Sequence, residues 1–348
     1  MKTGGPLDER KAYILATVVY EYIATAEPVG SQTLTEKYDL GVSSATVRSE
    51  MAGLEAGGYL VQPHTSAGRI PSDIGYRTYV DQLMKPEQLG EGDRRRIREE
   101  LHDASRELDE IIEHTTRLLG RLSNNLAFVT KPQADAHVFK HVQLIWLTPR
   151  TGVAIVVTSF GVAAQSLFEL GTDVTLDELT RFSNALNARL AGRLLRDVPD
   201  AEVAAVAAEA GMGDDLRGAV ANALRNARSN EQPGVAASGT QNLLDQPEFH
   251  DVRKLRSILR IVEEQKTLYD LVADTMDAET PSVKIGRELG NDELADLSVV
   301  TVPYRVGPNA IGMLSILGPR RMPYGRLLAL AAGTADTLSE RLSDVEIK

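Results

Sequence analysis

The segment VSSATVRSEMAGLEAGGYLVQPHTSAGRIP, Val42 to Pro71, constrains the fold more than any other stretch of the chain. Two serines open a helix-forming run, Gly57 and Gly58 close it, and two short β-prone pieces, YLVQP and RIP, flank the turn HTSAG. Ser43 or Ser44 is placed to cap the helix, because a side-chain oxygen there accepts from the free amides of the first turn. At 3.6 residues per turn Val47, Met51 and Leu54 share one face. The opposite face carries Ala45, Ser49 and Ala52, flanked by Thr46 and Arg48. A helix with an apolar seam and so little bulk outside either shows an alanine-rich face to solvent or enters a narrow polar groove.

The flanking sequence points to the groove. From Leu7 to Thr25 the pattern is helical, with Ile14, Val18 and Tyr22 on one stripe and Leu15, Val19 and Ile23 beside it. EPVGS then breaks the chain, Ser31 is placed to cap a second helix over SQTLTEKYDL, and Gly41 is placed as a left-handed stop. After the hairpin, Ser72 caps a further helix over DIGYRTYVDQLM. Three helices and a hairpin make a winged helix-turn-helix, here over residues 1–85. In that fold the Ser43–Ala56 helix reads DNA. Small outer residues such as Ala45 and Ser49 let its backbone approach the floor of a major groove about 12 Å wide. The hydroxyls of Ser43, Ser44 and Thr46 suit phosphate oxygens at a helix N-terminus. Arg48 matches O6 and N7 of guanine. His64, Thr65 and Ser66 form the wing, Gly68 permits its turn, and Arg69 near the tip reaches phosphate or the minor groove.

Pro86 to Gly92 reads as a polar linker. Ile97, Leu101, Ala104, Leu108, Ile111, Thr115, Leu118 and Leu122 then alternate steps of four and three, the seam of a coiled coil or of a long packed helix, which from Asp93 to Leu126 is about 50 Å in length. The strand-like runs HVFKHVQLIWLTP, GVAIVVTS and AAQSLFEL follow, and Leu176 to Asn230 turns helical and alanine-rich. After the loop SNEQPGVAASGTQ, Asp251 to Thr275 is helical, with Leu255, Leu259 and Val262 on one stripe. Strands SVKIGREL, LSVVTVPYRV and AIGMLSILGP and a helix from about Tyr324 to Leu342 complete the chain. The expected fold class is α+β: an α+β domain over residues 127–171 and 251–348, joined to the N-terminal domain by residues 86–126 and interrupted by a mostly helical insertion, 172–250.

Composition limits the chemistry. There is no cysteine among the 348 residues, which removes disulfides, thiolate catalysis and zinc fingers. There is no nucleotide-binding glycine loop and no marked catalytic pair, so neither an enzyme nor a cofactor is expected. His137 and His141 stand four apart, but no third ligand is close in sequence, so no metal site is expected. The N-terminus lacks an apolar signal core and no apolar run reaches the roughly 20 residues of a spanning helix, so the expectation is a soluble, cytoplasmic protein without a membrane partner. Net charge is −11, and Arg48, Arg69 and Arg77 only balance Glu50, Glu55 and Asp73 between Val42 and Tyr79. A single weakly basic head gains little from long-range attraction to DNA. Two linked heads raise effective concentration, which predicts a homodimer with its contacts mainly in 172–250 and the C-terminal domain.

SSATVRSEMAGLEAGGYLVQPHTSAGRIPSDIGYRTYV and the later blocks QNLLDQPEF, LSVVTVPY and GMLSILGPRRMPYGRL resemble, in order and over nearly the full chain, the HrcA family of heat-inducible transcription repressors. The resemblance implies a dimer built from a winged-helix domain, a GAF-like domain and an inserted dimerising domain. It also implies repression of chaperone operons through an inverted-repeat double-stranded DNA operator, CIRCE, with a GroEL-type chaperonin keeping the repressor active. The chain departs from the family in its alanine-rich insertion and in a DNA-binding half that is less basic than expected. Two alternatives accompany this reading: a winged-helix regulator responding to a small ligand in its GAF-like domain, and an enzyme with a fused DNA-binding domain, which the missing catalytic motifs disfavour.

Overall fold

The structure is a computed structural model of the 348-residue chain and describes residues 7–64, 68–102, 107–132, 138–159, 161–228, 234–249, 252–278, 280–306 and 310–346. Its class is α+β. The N-terminal unit consists of α1 (Glu9–Thr25), α2 (Ser31–Lys37), α3 (Ser44–Ala56), the strands β1 (Leu60–Val61) and β2 (Ile70–Pro71), and α4 (Asp73–Thr78), which runs on through a π-helical turn, Tyr79–Leu83. Side-chain oxygens cap these helices: Asp8 accepts from the Lys11 amide, Ser43 from Thr46 and Ser72 from Gly75. The second helix is shorter than expected. It ends at Lys37, its N-cap is Gly30, and Ser31 is its first helical residue.

The single long helix expected over 93–126 is two helices, α5 (Glu91–His102) and α6 (Leu108–Ser123). In one continuous helix Glu100 and Arg121 would stand roughly 31 Å apart. Here they form an ion pair, so the two helices fold back on each other. Glu107 at the start of α6 has extended backbone angles. The seam has its partner within the chain: Ile97, Leu101, Ile111 and Leu118 share a core with Leu330, Leu338 and Leu342 of α13 (Tyr324–Glu346).

The main body is a five-stranded antiparallel sheet. Its order is β7 (Val235–Ser238), β3 (Leu126–Thr130), β10 (Ala310–Pro319), β9 (Leu297–Val306), β8 (Ser282–Ile285). Alternation sends Ala127, Val129, Val300, Val302, Leu314 and Ile316 to the side of α5, α6 and α13, in a core that extends to the N-terminal unit. Leu126, Phe128, Val299, Met313 and Leu317 face the other side, with α10 (Thr240–Leu244), α11 (Val252–Glu263) and α12 (Gln265–Asp270). The helix expected over 251–275 is thus interrupted, with Glu264 extended between α11 and α12. In α11 Ile258 and Ile261 are buried, while Leu259 and Val262 are half-buried.

The three strands assigned by sequence to this α+β domain do not join its sheet. β4 (Phe139–Thr148), β5 (Thr151–Thr158) and β6 (Gly161–Glu169) form a separate antiparallel sheet in that order. Phe139, Val142, Leu144, Ala154, Val156 and Phe168 share a core with α7 (Leu176–Leu190), α8 (Asp200–Glu209) and α9 (Asp214–Arg228). The inserted unit is therefore 138–228 and carries a sheet, whereas β7, assigned by sequence to the insertion, pairs with β3 of the body. Part of the β4 edge is closed by α7: Asn187 accepts from the Val142 amide at 2.7 Å, and Ser183 donates to the Val142 carbonyl at 2.6 Å.

A candidate nucleic-acid interface

The surface of α3 follows from its sequence. Val47, Met51 and Leu54 are buried, and Ala45, Arg48, Ser49 and Ala52 are exposed, with Thr46 half-buried. Arg48 makes no ion pair among the described residues. Ser43 holds the first turn, its oxygen accepting from the Thr46 amide at 3.2 Å and lying 3.1 Å from the Thr46 hydroxyl. Ser44 differs from expectation. Its hydroxyl lies 3.1 Å from that of buried Ser31, so in this state it ties α3 to α2.

The α1–α2 corner is fixed by one carboxylate. Glu21, with its side chain 6 % exposed, accepts from the Lys37 amine at 2.5 Å and the Tyr38 hydroxyl at 2.8 Å. The Lys37 ammonium and then the Tyr38 hydroxyl hold the Glu21 carboxyl below its ordinary range. Burial, reinforced by that carboxylate, pushes the Tyr38 phenol up to about 12.

The hairpin pairs Leu60 with Pro71 and Val61 with Ile70. Two expectations about it need correction. Arg69 is at the base of the turn: it exchanges both backbone hydrogen bonds with Val29 at 2.9 Å. Its guanidinium, 16 % exposed, donates to Glu55 of α3 at 2.9 Å. The arginine is turned inward because the chain before α2 forms a third short β pairing here. That pairing also explains Gly68: a Cβ there would stand 2.5 Å from the Val29 carbonyl, so the position demands close backbone approach. His64 is exposed before the turn, while Thr65 and Ser66 lie outside the described residues.

Two cations escape a reading confined to residues 42–79. Arg10 and Lys11 of α1 stand 3.9 and 3.7 Å from Glu50 of α3. Lys11 is also 2.8 Å from Asp8, which, with Glu50, raises its amine above the ordinary value. No local motif announces them; only the packing of α1 against α3 brings them beside Glu50.

The N-terminal unit is anchored to the body. Arg320 donates to Asp73 at 2.7 Å and Asp296 at 3.2 Å, and Arg77 donates to Glu288, to Asp81 and to the Val283 carbonyl. Tyr76 and Tyr324 meet edge to face, centroids 6.2 Å apart. Arg77, one of the three local basic residues in the sequence count, is thereby committed to the junction. Among the described residues no group of three His, Asp or Glu side chains is placed to hold a metal, and His137 lies outside them. No helix among them is long and apolar enough to cross a membrane.

Comparison with known proteins bears on what this surface serves. Residues 109–328 match the family model described as HrcA protein C terminal domain. A heat-inducible transcription repressor HrcA from Pelotomaculum thermopropionicum is 38% identical over 97% of this chain and 97% of its own. Those from Desulforamulus reducens and Symbiobacterium thermophilum are 36% and 38% identical, over 97% and 96% of this chain and 98% of each relative. A crystal structure of a hypothetical protein, 24% identical, covers 98% of this chain and 100% of its own with a TM-score of 0.61, a likeness of fold.

Proposed function

The chain belongs to the HrcA family of heat-inducible transcription repressors, and from that premise we propose that it represses chaperone operons by reading an inverted-repeat, CIRCE-type operator as a homodimer. The N-terminal unit is, on this reading, a winged helix-turn-helix with α3 in the major groove and the β1–β2 turn as its wing. The five-stranded body is its GAF-like domain, and 138–228 is its inserted dimerising domain. One observation carries the proposal: α3 presents the small residues Ala45, Ser49 and Ala52 around an unpaired, exposed Arg48, on a helix whose other face is locked in the core. The Ser43 cap at its start suits phosphate.

The dimer reading has its own support. The helices of the inserted unit cover one face of the β4–β5–β6 sheet. The other face aligns Ile145, Val153 and Leu167 across the three strands, with Ile155 and Val157 beside them, and Leu167 is 69% exposed. An apolar stripe of this kind on a sheet is a surface for a second copy. A GroEL-type chaperonin would then maintain the folded dimer.

The test is fluorescence anisotropy on an inverted-repeat duplex and on a scrambled duplex of equal length. Arg48→Ala is expected to cost about 1–3 kcal/mol on the operator and to relax preference at one base position. Equal losses on both duplexes would remove Arg48 from base reading.

A further inference from the structure

The carboxylates of α3 are each set against cations from flanking elements. Glu50 faces Arg10 at 3.9 Å and Lys11 at 3.7 Å, and Glu55 accepts from Arg69 at 2.8 and 2.9 Å. The first 85 residues hold eight Lys and Arg against ten Asp and Glu, so the N-terminal unit has no surplus of positive charge. Phosphate contacts, which carry no sequence information, supply essentially all of the affinity for arbitrary DNA. A head whose cations are occupied by its own carboxylates makes few such contacts.

We propose that Glu50 and Glu55 are specificity-determining residues: they hold Arg10, Lys11 and Arg69 in ion pairs, withholding these cations from arbitrary DNA so that stable binding requires base contacts from α3. This rests on the DNA-reading function above. A purely structural role, tying α1 and the hairpin to α3, makes the opposite prediction. In that case loss of either carboxylate loosens α3 and weakens binding to every sequence.

The experiment uses the full chain as Glu50→Gln and as Glu55→Gln, with anisotropy on operator and scrambled duplexes from about 50 to 200 mM salt. Glutamine keeps the shape and removes the charge. Glu50→Gln is expected to free mainly Arg10, because Lys11 keeps Asp8 at 2.8 Å. Each freed cation that reaches a phosphate steepens the log–log salt slope by about 0.9 and raises scrambled-duplex affinity about fivefold near 0.15 M salt. Operator affinity rises less, because base contacts fix the register and leave fewer freed cations at phosphates, so the specificity ratio falls. Adding Arg10→Gln to Glu50→Gln returns the slope to the wild-type value. Should Glu55→Gln loosen the hairpin, Glu50→Gln carries the test alone. A wild type that prefers the operator, beside a Glu50→Gln variant with unchanged or weaker scrambled binding and an unmoved slope, overturns the proposal and leaves the function standing. A wild type that binds neither duplex overturns both.

Discussion

Tyr76 and Tyr324 look equivalent in sequence, yet their hydroxyls should respond oppositely to removal. Both rings are buried, at 1% and 0% exposure, in edge-to-face contact at the junction between the N-terminal unit and α13. Tyr324 donates to the Arg320 carbonyl, and the Ser298 hydroxyl lies 3.0 Å from its oxygen. The Tyr76 hydroxyl is buried with no hydrogen-bond partner among the described residues. Burial pushes both phenols above their ordinary range, so each is neutral at any working pH. A buried donor left unpaired costs about 1–3 kcal/mol. Tyr76→Phe keeps the ring contact and deletes that penalty, so net stabilisation of about 1 kcal/mol is expected after the loss of the oxygen's packing. Tyr324→Phe strands the Ser298 hydroxyl and the Arg320 carbonyl and should cost about 1–2 kcal/mol. Urea unfolding of the full chain, followed by circular dichroism, measures both as shifts in midpoint at constant slope. Destabilisation of Tyr76→Phe to the same extent as Tyr324→Phe would show that the Tyr76 hydroxyl is satisfied and would refute the reasoning.

Four further outcomes are expected. The Glu21 carboxyl is depressed by Lys37 and Tyr38, so its stabilisation is full above the ordinary carboxylate range and is lost as pH falls from there through the depressed folded-state value. Stability curves of wild type and Glu21→Gln should differ by about 1–2 kcal/mol at pH 7 and converge only below the depressed Glu21 value. Gly75→Ala places a Cβ 2.1 Å from the Tyr59 carbonyl oxygen, and thermal melting should show a loss of at least about 2 kcal/mol with the hairpin displaced. Leu167→Lys on the open sheet face should shift sedimentation from dimer to monomer without lowering the helix content seen by circular dichroism. Mild heating should abolish operator binding irreversibly, with aggregation, and chaperonin with ATP should restore it; a repressor that stays active alone through heating would remove that mode of regulation.

Much of the candidate interface was legible because it is local. The Ser43 cap, the Val47–Met51–Leu54 seam and the Gly57–Gly58 stop depend on neighbours within one or two turns, and all three stand in the structure. What failed depends on partners distant in sequence. Ser31 reads as a cap, but its hydroxyl meets Ser44, thirteen residues on. Arg69 reads as a wing-tip cation because nothing in RIP reveals that Val29 pairs with its backbone and Glu55 takes its guanidinium. Gly68 reads as a turn glycine for the same reason, although the atom that forbids a side chain there belongs to Val29.

The same limit explains the domain boundary. Strand alternation in GVAIVVTS fixes which side chains share a face, and β5 does alternate between buried and half-buried residues. Alternation is silent about which sheet a strand joins. β3 and β4 are adjacent in sequence and both rich in apolar residues, yet Phe128 packs with Met313 and Leu317 while Phe139 packs with Phe182 and Leu186. The information lies in pairings such as Ala127 with Ile316, nearly 190 residues apart. The heptad seam fails in a related way. Its period predicts an apolar stripe and leaves the partner unspecified, and α13 supplies that partner within the chain. With that seam satisfied internally, the row of half-buried Ile145 and Val153 and exposed Leu167 is the surface we propose for a second copy, which moves the expected dimer contact from residues 172–250 and the C-terminal domain to the β4–β5–β6 sheet.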